Sequence, residues 1–147
     1  MSDVQSAVVK ALGYFDSDYN RAQSVLQVMR EELGVESDLI PGIALGFGGG
    51  LGLRGLVCGA LNGGVMAIGL RYGQMEEPEV KDKAYALVLE LCHRFERQHG
   101  SALCRDLTGC DLTNPEDKQR WLDSGGHEKC SQFVSTAVEI LMDLLGE

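Results

Sequence analysis

The segment G-F-G-G-G-L-G-L-R-G-L-V-C-G-A-L-N-G-G, residues 46–64, constrains the fold more than any other part of this chain. Glycines crowd around one cysteine, Cys58, and the chain then runs into V-M-A-I-G-L-R-Y-G. A stretch of this kind has three physical uses: a phosphate-cradling loop, a membrane segment, or a tightly packed buried helix carrying a thiol. Gly55, Gly59, Gly63 and Ala67 fall four residues apart and so share one face of a helix. A bare face lets a neighbouring backbone approach closely. Each glycine weakens an isolated helix by about 1 kcal/mol relative to alanine, so tertiary packing has to hold such a helix in place. The spacing predicts a glycine-rich helix over about 53–72.

The other two uses fit less well. Gly50-Leu51-Gly52-Leu53-Arg54-Gly55 matches G-x-G-x-x-G, follows an apolar run from Ile43 to Phe47, and has Glu76 at a distance suited to a ribose. That motif binds a pyrophosphate only between a strand and a helix of a parallel sheet. No strand–helix units follow, and among 19 glycines a chance match comes easily. A membrane span needs about 20 consecutive apolar residues. Pro41, the glycine cluster, Arg54 and Asn62 interrupt the run before it reaches that length, and the mean hydropathy is slightly negative, at −0.06. The first ten residues, M-S-D-V-Q-S-A-V-V-K, lack the basic start and apolar core of a secretory signal. A soluble, cytoplasmic protein is expected.

Helical periodicity dominates the remainder. Ala7, Val8, Ala11, Leu12 and Phe15 form one apolar stripe, and Tyr19, Ala22, Val25, Leu26, Met29 and Leu33 a second. Ser17 or Asp18 is placed to cap the second helix and Gly34 to end it. Residues 37–45 read as a short helix. Ala84, Leu87, Val88, Leu91 and Phe95 mark a long helix from Pro78 to Gly100. Residues 101–112 read as a loop with at most one turn. Asn114-Pro115-Glu116 starts a short helix through Trp121, and Phe133, Val134, Ala137, Ile140, Leu141 and Leu144 line the last one. No segment alternates as a strand does. The 147 residues suit one domain, 1–147, an all-α compact helical bundle with a Gly-rich central helix. The net charge of −9 disfavours nucleic acid, whose phosphates repel an acidic surface.

Five cysteines are too odd a number for a fully paired disulfide scaffold, and in a reducing compartment grouped cysteines indicate metal or redox chemistry. Cys58 falls near the start of the glycine-rich helix, where amide N–H groups and the helix dipole favour a thiolate. Cys130 occupies a similar place in the last helix, on the face of Phe133, Val134 and Ala137. Cys104 lies in a loop beside Arg105. These three form the candidate site, although each also makes sense as a small core residue. Cys92 sits on the apolar side of its helix and reads as core. Cys110 is open to either use: a second ligand or resolving thiol, or a plain loop residue. Its C-x5-C spacing from Cys104 is not that of a zinc knuckle. His127 and Cys130, three apart, are placed to share a metal on one helical turn. His93 and His99 lie near a helix C-terminus, where imidazole is favourable without any function.

The residues carry a resemblance. Y-N-R-A-Q-S-V-L at Tyr19 to Leu26, the glycine segment, I-G-L-R-Y-G at Ile68 to Gly73, H-G-S-A-L-C-R-D-L-T-G at His99 to Gly109, and Cys130 before F-V-S-T-A-V-E-I-L are similar to the small redox-active proteins named for a C…GCAxxG…C…C pattern. The core of the pattern is Cys58-Gly59-Ala60-Leu61-Asn62-Gly63, and the third and fourth cysteines fall on Cys104 and Cys130. The family usually reads N-C-A-Q where this chain has Asn20-Arg21-Ala22-Gln23, so Arg21 replaces the first cysteine. The resemblance implies redox activity, a transporter or redox partner, and, from related domains fused to cytochrome-like modules, an iron–sulfur cluster. Four thiolates suit such a cluster, and three remain here, with Cys110 or Cys92 as a substitute ligand only if the fold brings it close. The expected function is thiol–disulfide or electron-transfer chemistry at Cys58, Cys104 and Cys130, with Cys58 as the reactive thiolate and Gly59 and Arg21 on the cofactor side. Arg21 cannot bind a metal but stabilises a nearby thiolate or anion. An iron–sulfur or zinc module, or a non-catalytic accessory protein, are the alternatives.

Overall fold

The apolar stripes become helices in the computed structural model, which describes residues 3–146. They are α1 (Asp3–Asp16), α2 (Arg21–Leu33), α3 (Gly59–Tyr72), α4 (Glu79–His99), α5 (Cys104–Thr108), α6 (Pro115–Asp123) and α7 (Gly126–Leu145), with a 3₁₀ turn over Gly42–Phe47. Of the N-terminal stretch read for a targeting signal, Met1 and Ser2 lie outside the described residues and the rest opens α1. The described residues contain no named strand, only a single antiparallel bridge between Val57 and Leu103. No helix of the described residues is long and apolar enough to cross a membrane.

Helix α2 runs through the middle of the bundle, and its residues from Arg21 to Met29 are all buried. Its cap is not Ser17 or Asp18 but Asn20. The Asn20 side chain accepts from the Gln23 amide at 2.9 Å, and the Gln23 side chain accepts from the Asn20 amide at 3.0 Å. This reciprocal box satisfies two otherwise unpaired donors of the first turn. Ser17 instead donates to the Gly13 carbonyl, and Asp18 takes a positive φ in the α1–α2 turn. Gly34 ends α2 in the left-handed conformation, as its sequence position predicts.

Helix α3 lies directly against α2. A Cβ on Gly63 would sit 2.5 Å from the Ala22 carbonyl oxygen, and one on Gly59 would be 3.2 Å from the Ala22 nitrogen. Glycine is therefore needed at these two positions for the close approach. On another side of α3, a Cβ on Gly64 would meet Leu91 at 2.9 Å and Leu141 at 3.1 Å. The main core joins Leu61 and Ile68 of α3 to Val25 and Met29 of α2, Phe95 of α4 and Val134 of α7.

The glycine segment departs from the predicted helix. Helix α3 starts at Gly59, and Gly49, Gly50, Leu51, Gly52 and Leu53 all have φ between 56° and 71°, a short left-handed turn. Left-handed backbone costs an L-residue roughly 1–2 kcal/mol, which is why three of the five are glycine. The amides of residues 51–56 donate to carbonyls of residues 46–51, as in Gly52 to Gly46 at 2.9 Å and Leu56 to Gly50 at 2.9 Å. A phosphate-binding loop presents free amides, and here they are already engaged. Gly55 lies outside α3 and packs on Arg105 rather than on α2.

Candidate functional site

Three separate devices bring the cysteines together. The capping box fixes the first turn of α2 and with it Arg21, the first helical residue. A short clasp joins the approach to α3 with the approach to α5. The Cys58 amide donates to Ala102 at 2.9 Å, the Cys104 amide to Leu56 at 2.6 Å, and the Arg105 amide to Gly55 at 3.0 Å. The clasp places Cys58 at the N-cap of α3 and Cys104 at the first residue of α5, not in a loop. The left-handed turn closes over this arrangement: a Cβ on Gly50 would lie 2.6 Å from the Cys104 Cβ. Cys130 comes from α7, which begins at Gly126, so the cysteine lies one turn inside the helix rather than at its end.

Arg21 stands among the three. It is only 5 % exposed. Its Nη1 donates to the Cys130 Sγ at 3.1 Å and its Nη2 to the Cys104 Sγ at 3.5 Å. Cys58 is the third sulfur in its field. Burial works against the guanidinium charge, yet the pull of Cys58, Cys130 and Cys104 outweighs it and raises Arg21 above the ordinary arginine value. Its side chain reaches into the cysteine group.

The thiols differ. Cys58 has the helix N-terminus predicted for it but is fully buried, and burial pushes its thiol up, opposed by Arg21 and the Ala60 amide. The dipole effect at a helix end is modest, and here burial outweighs the groups that favour the thiolate. Cys104 is also fully buried, whereas Cys130 retains 7 % exposure. Burial raises the Cys130 thiol as well, opposed by Arg21 and by the side chain of Trp121.

The remaining candidates lie apart or at the edge. Cys92 is half-buried on α4, where burial and Glu96 raise its thiol. Cys110 is half-buried and lines a surface cleft of about 450 Å³ with Arg54, Arg105 and Asp117. His127 binds Asp16 at 2.8 Å and stacks on Phe15 with ring centroids 4.4 Å apart, so it faces α1 while Cys130 faces Arg21. His99 pairs with Thr136 at 2.8 Å, and burial lowers its pKa. His93 is exposed. Gly59 serves the α2–α3 contact. All five cysteines are free thiols.

The residues present do not fit an iron–sulfur cluster or a zinc ion. A permanently cationic guanidinium bonds two of the three sulfurs that would be ligands. Among the described residues no three His, Cys, Asp or Glu side chains are arranged to hold a metal ion.

Comparison with known proteins agrees with this cysteine pattern. A family model described as "Putative redox-active protein (C_GCAxxG_C_C)" matches residues 19–144, and the chain belongs to that family. A relative in Archaeoglobus fulgidus, described as an uncharacterized protein, is 27 % identical over 155 aligned positions that cover 99 % of this chain and 97 % of the relative. No solved structure matches.

Proposed function

We propose that this member of the redox-active C…GCAxxG…C…C family carries out thiol–disulfide exchange at Cys58, Cys104 and Cys130, with Arg21 in place of the family's first cysteine as a fixed cation. One observation carries the reading: a buried guanidinium whose hydrogen-bonded partners are two sulfurs, with a third close by. A buried charge needs a counter-charge. The group best able to supply one here is a thiolate, held by the guanidinium fork at Cys130 or Cys104.

The substrate class is a disulfide, R–S–S–R. The Cys130 thiolate, on the most accessible of the three sulfurs, attacks one substrate sulfur. A Cys130–S–S–R bond forms, and the first R–S⁻ leaves and takes up a proton. Cys104 then gives up its proton and attacks the Cys130 sulfur. The Cys104–Cys130 disulfide forms and the second R–S⁻ departs with a proton. Two protein thiols lose two electrons and the substrate disulfide gains them. Arg21 stabilises each protein thiolate as it forms, and Cys58 is the alternative resolving thiol. A reducing cytoplasm, where free thiols persist, and a disulfide-bearing redox partner are the setting for this reading.

Treatment of the reduced protein with a small disulfide, followed by peptide mapping, tests it. A Cys104–Cys130 disulfide, lost in Cys130→Ser, is expected. Oxidation confined to Cys92 and Cys110, with the buried three still reduced, would show that the cysteine group is a packing feature.

A further inference from the structure

We propose that the Arg21–cysteine group also reduces small hydroperoxides: the Cys130 sulfur attacks a peroxide oxygen, and the N–H groups of Arg21 not engaged by sulfur receive the departing oxygen anion. The proposal rests on the reading of Cys130 and Cys104 as the exchanging pair and adds a second substrate class to it. It starts from what surrounds Arg21. The side chain is only 5 % exposed, and its hydrogen-bonded partners are two sulfurs, Cys130 at 3.1 Å from Nη1 and Cys104 at 3.5 Å from Nη2. Among the described residues no carboxylate, carbonyl or hydroxyl accepts from it. A guanidinium carries five N–H groups. Two of them meet sulfur, which leaves three without an oxygen or sulfur acceptor among the described residues. Arginines nearer the surface differ: Arg94 bonds Glu90 and Asp143, and Arg30 bonds Gln27 and the Val35 carbonyl. Buried donors without acceptors are costly, and at Arg21 they lie among nucleophilic sulfurs.

Size and charge choose the oxidant. Cys58 and Cys104 are fully buried and Cys130 is 7 % exposed, so a molecule scarcely larger than water reaches the group most readily. The group leaving a disulfide is a thiolate, a diffuse anion that accepts hydrogen bonds weakly. The group leaving a peroxide is hydroxide or alkoxide, whose concentrated charge gains most from a cationic N–H donor in water-poor surroundings. In the first step the Cys130 thiolate attacks the terminal oxygen of R–O–O–H. The S–O bond forms and the O–O bond breaks. The R–O⁻ leaves against Arg21 and takes up a proton from solvent. Cys130 is now a sulfenic acid; its sulfur has lost two electrons and the peroxide has gained them. Cys104 then attacks the Cys130 sulfur, and hydroxide leaves with the Cys104 proton as water. The two sulfurs share one guanidinium, so the second thiol is at hand when the sulfenic acid forms. A small dithiol reduces the resulting Cys104–Cys130 disulfide by exchange and is itself oxidised.

The test adds hydrogen peroxide to the reduced full chain and follows each cysteine by peptide mass spectrometry, with peroxide consumption measured alongside. Wild type should consume one peroxide per Cys104–Cys130 disulfide, and Cys130 should oxidise about tenfold faster or more than Cys92 and Cys110, which have no guanidinium on their sulfurs. Cys104→Ser should stop at a Cys130 sulfenic acid that dimedone traps. Arg21→Met separates the two roles of the guanidinium. Loss of thiolate slows peroxide and iodoacetamide alike, so the ratio of the two rates at Cys130 cancels it. Iodide is a diffuse leaving anion, whereas the peroxide oxygen needs the N–H donors, so the ratio should fall about a hundredfold in the variant, the weight of one lost oxyanion donor. An unchanged ratio overturns the proposal. So does oxidation of Cys130 no faster than that of Cys92 and Cys110 in wild type, a comparison that stands even if Arg21→Met fails to fold. A parallel arm with a small disulfide keeps the two readings apart. A disulfide reagent that joins Cys104 to Cys130 where peroxide does not removes the peroxide chemistry and leaves the exchange. The reverse pattern removes the exchange with disulfide substrates and leaves the peroxide chemistry.

Discussion

Replacing Arg21 by methionine keeps the length and apolar stem of the side chain and removes its charge and its five N–H groups. In the wild type the guanidinium contacts two sulfurs at 3.1 and 3.5 Å and is 5 % exposed. The centres of charge in such a contact lie about 4 Å apart, and at an effective dielectric near 20 that attraction is about 4 kcal/mol. Since about 1.4 kcal/mol is a factor of ten, the full term is worth about a thousandfold in thiolate population. Desolvation already opposes the ionised forms of Cys58 and Cys130, and a neutral thiol in the variant no longer needs the cation, so the variant is not left with an unpaired buried charge. The chemistry should therefore suffer more than the fold. The expected result is an alkylation rate for Cys130 at pH 7 about ten- to a thousandfold below wild type by the same Coulomb argument, with the melting temperature little changed. Arg21→Lys should fall between, because it keeps a charge but not the two-pronged geometry. The assay is labelling rate at each cysteine against pH. Cys130 labelling in Arg21→Met at the wild-type rate and with the wild-type pH profile would refute the reasoning, since the guanidinium would then not be acting on the thiols.

Gly63→Ala forces a Cβ to 2.5 Å from the Ala22 carbonyl oxygen and should lower stability by about 1–3 kcal/mol. Gly69→Ala, with nothing within 4 Å, should raise it by about 0.5–1 kcal/mol. Thermal melts that show equal effects would contradict the described packing of α3 on α2. Anaerobic reconstitution with iron and sulfide should give little bound iron in wild type and more in Arg21→Cys; full loading of both would mean that Arg21 does not stand between the ligands. Burial raises the folded-state pKa of Cys58, so the unfolded chain releases that proton first. Stability from this group is complete below the unfolded thiol value of about 8.5 and declines as pH rises above it. Chemical denaturation between pH 7 and 10 should show this decline, with a shallower slope in Cys58→Ala; identical slopes would assign the decline to other groups.

Much of the architecture is legible in the residue order. The stripes of α1, α2, α4 and α7 repeat with helical spacing, and Gly34, Pro78, Gly100 and Asn114 mark ends where they predict them. These are local signals. Each depends on side chains within a turn or two, so a linear reading finds them. The cysteine pattern is also linear and points to the family. The cap of α2 was misread because three polar candidates lie within a few residues. Only the reciprocal bonds of Asn20 and Gln23 select among them.

Where neighbours from distant segments decide, the sequence runs out. Glycine permits many conformations and selects none, so the run at 46–55 was equally compatible with a helix. Contact with Cys104, Arg105 and the approach to α3 wound it into a left-handed turn. Arg21 borders the apolar stripe of α2. Whether such a residue points to solvent or inward depends on what α3, α5 and α7 present to it, and they present three sulfurs. Trp121 ends the short helix that opens at Asn114-Pro115-Glu116, and only the fold sets its ring against the first turn of α7. Periodicity and caps belong to single elements and are written locally. A buried cation among thiols exists only where four elements meet, and its energy depends on water having been excluded by all of them together.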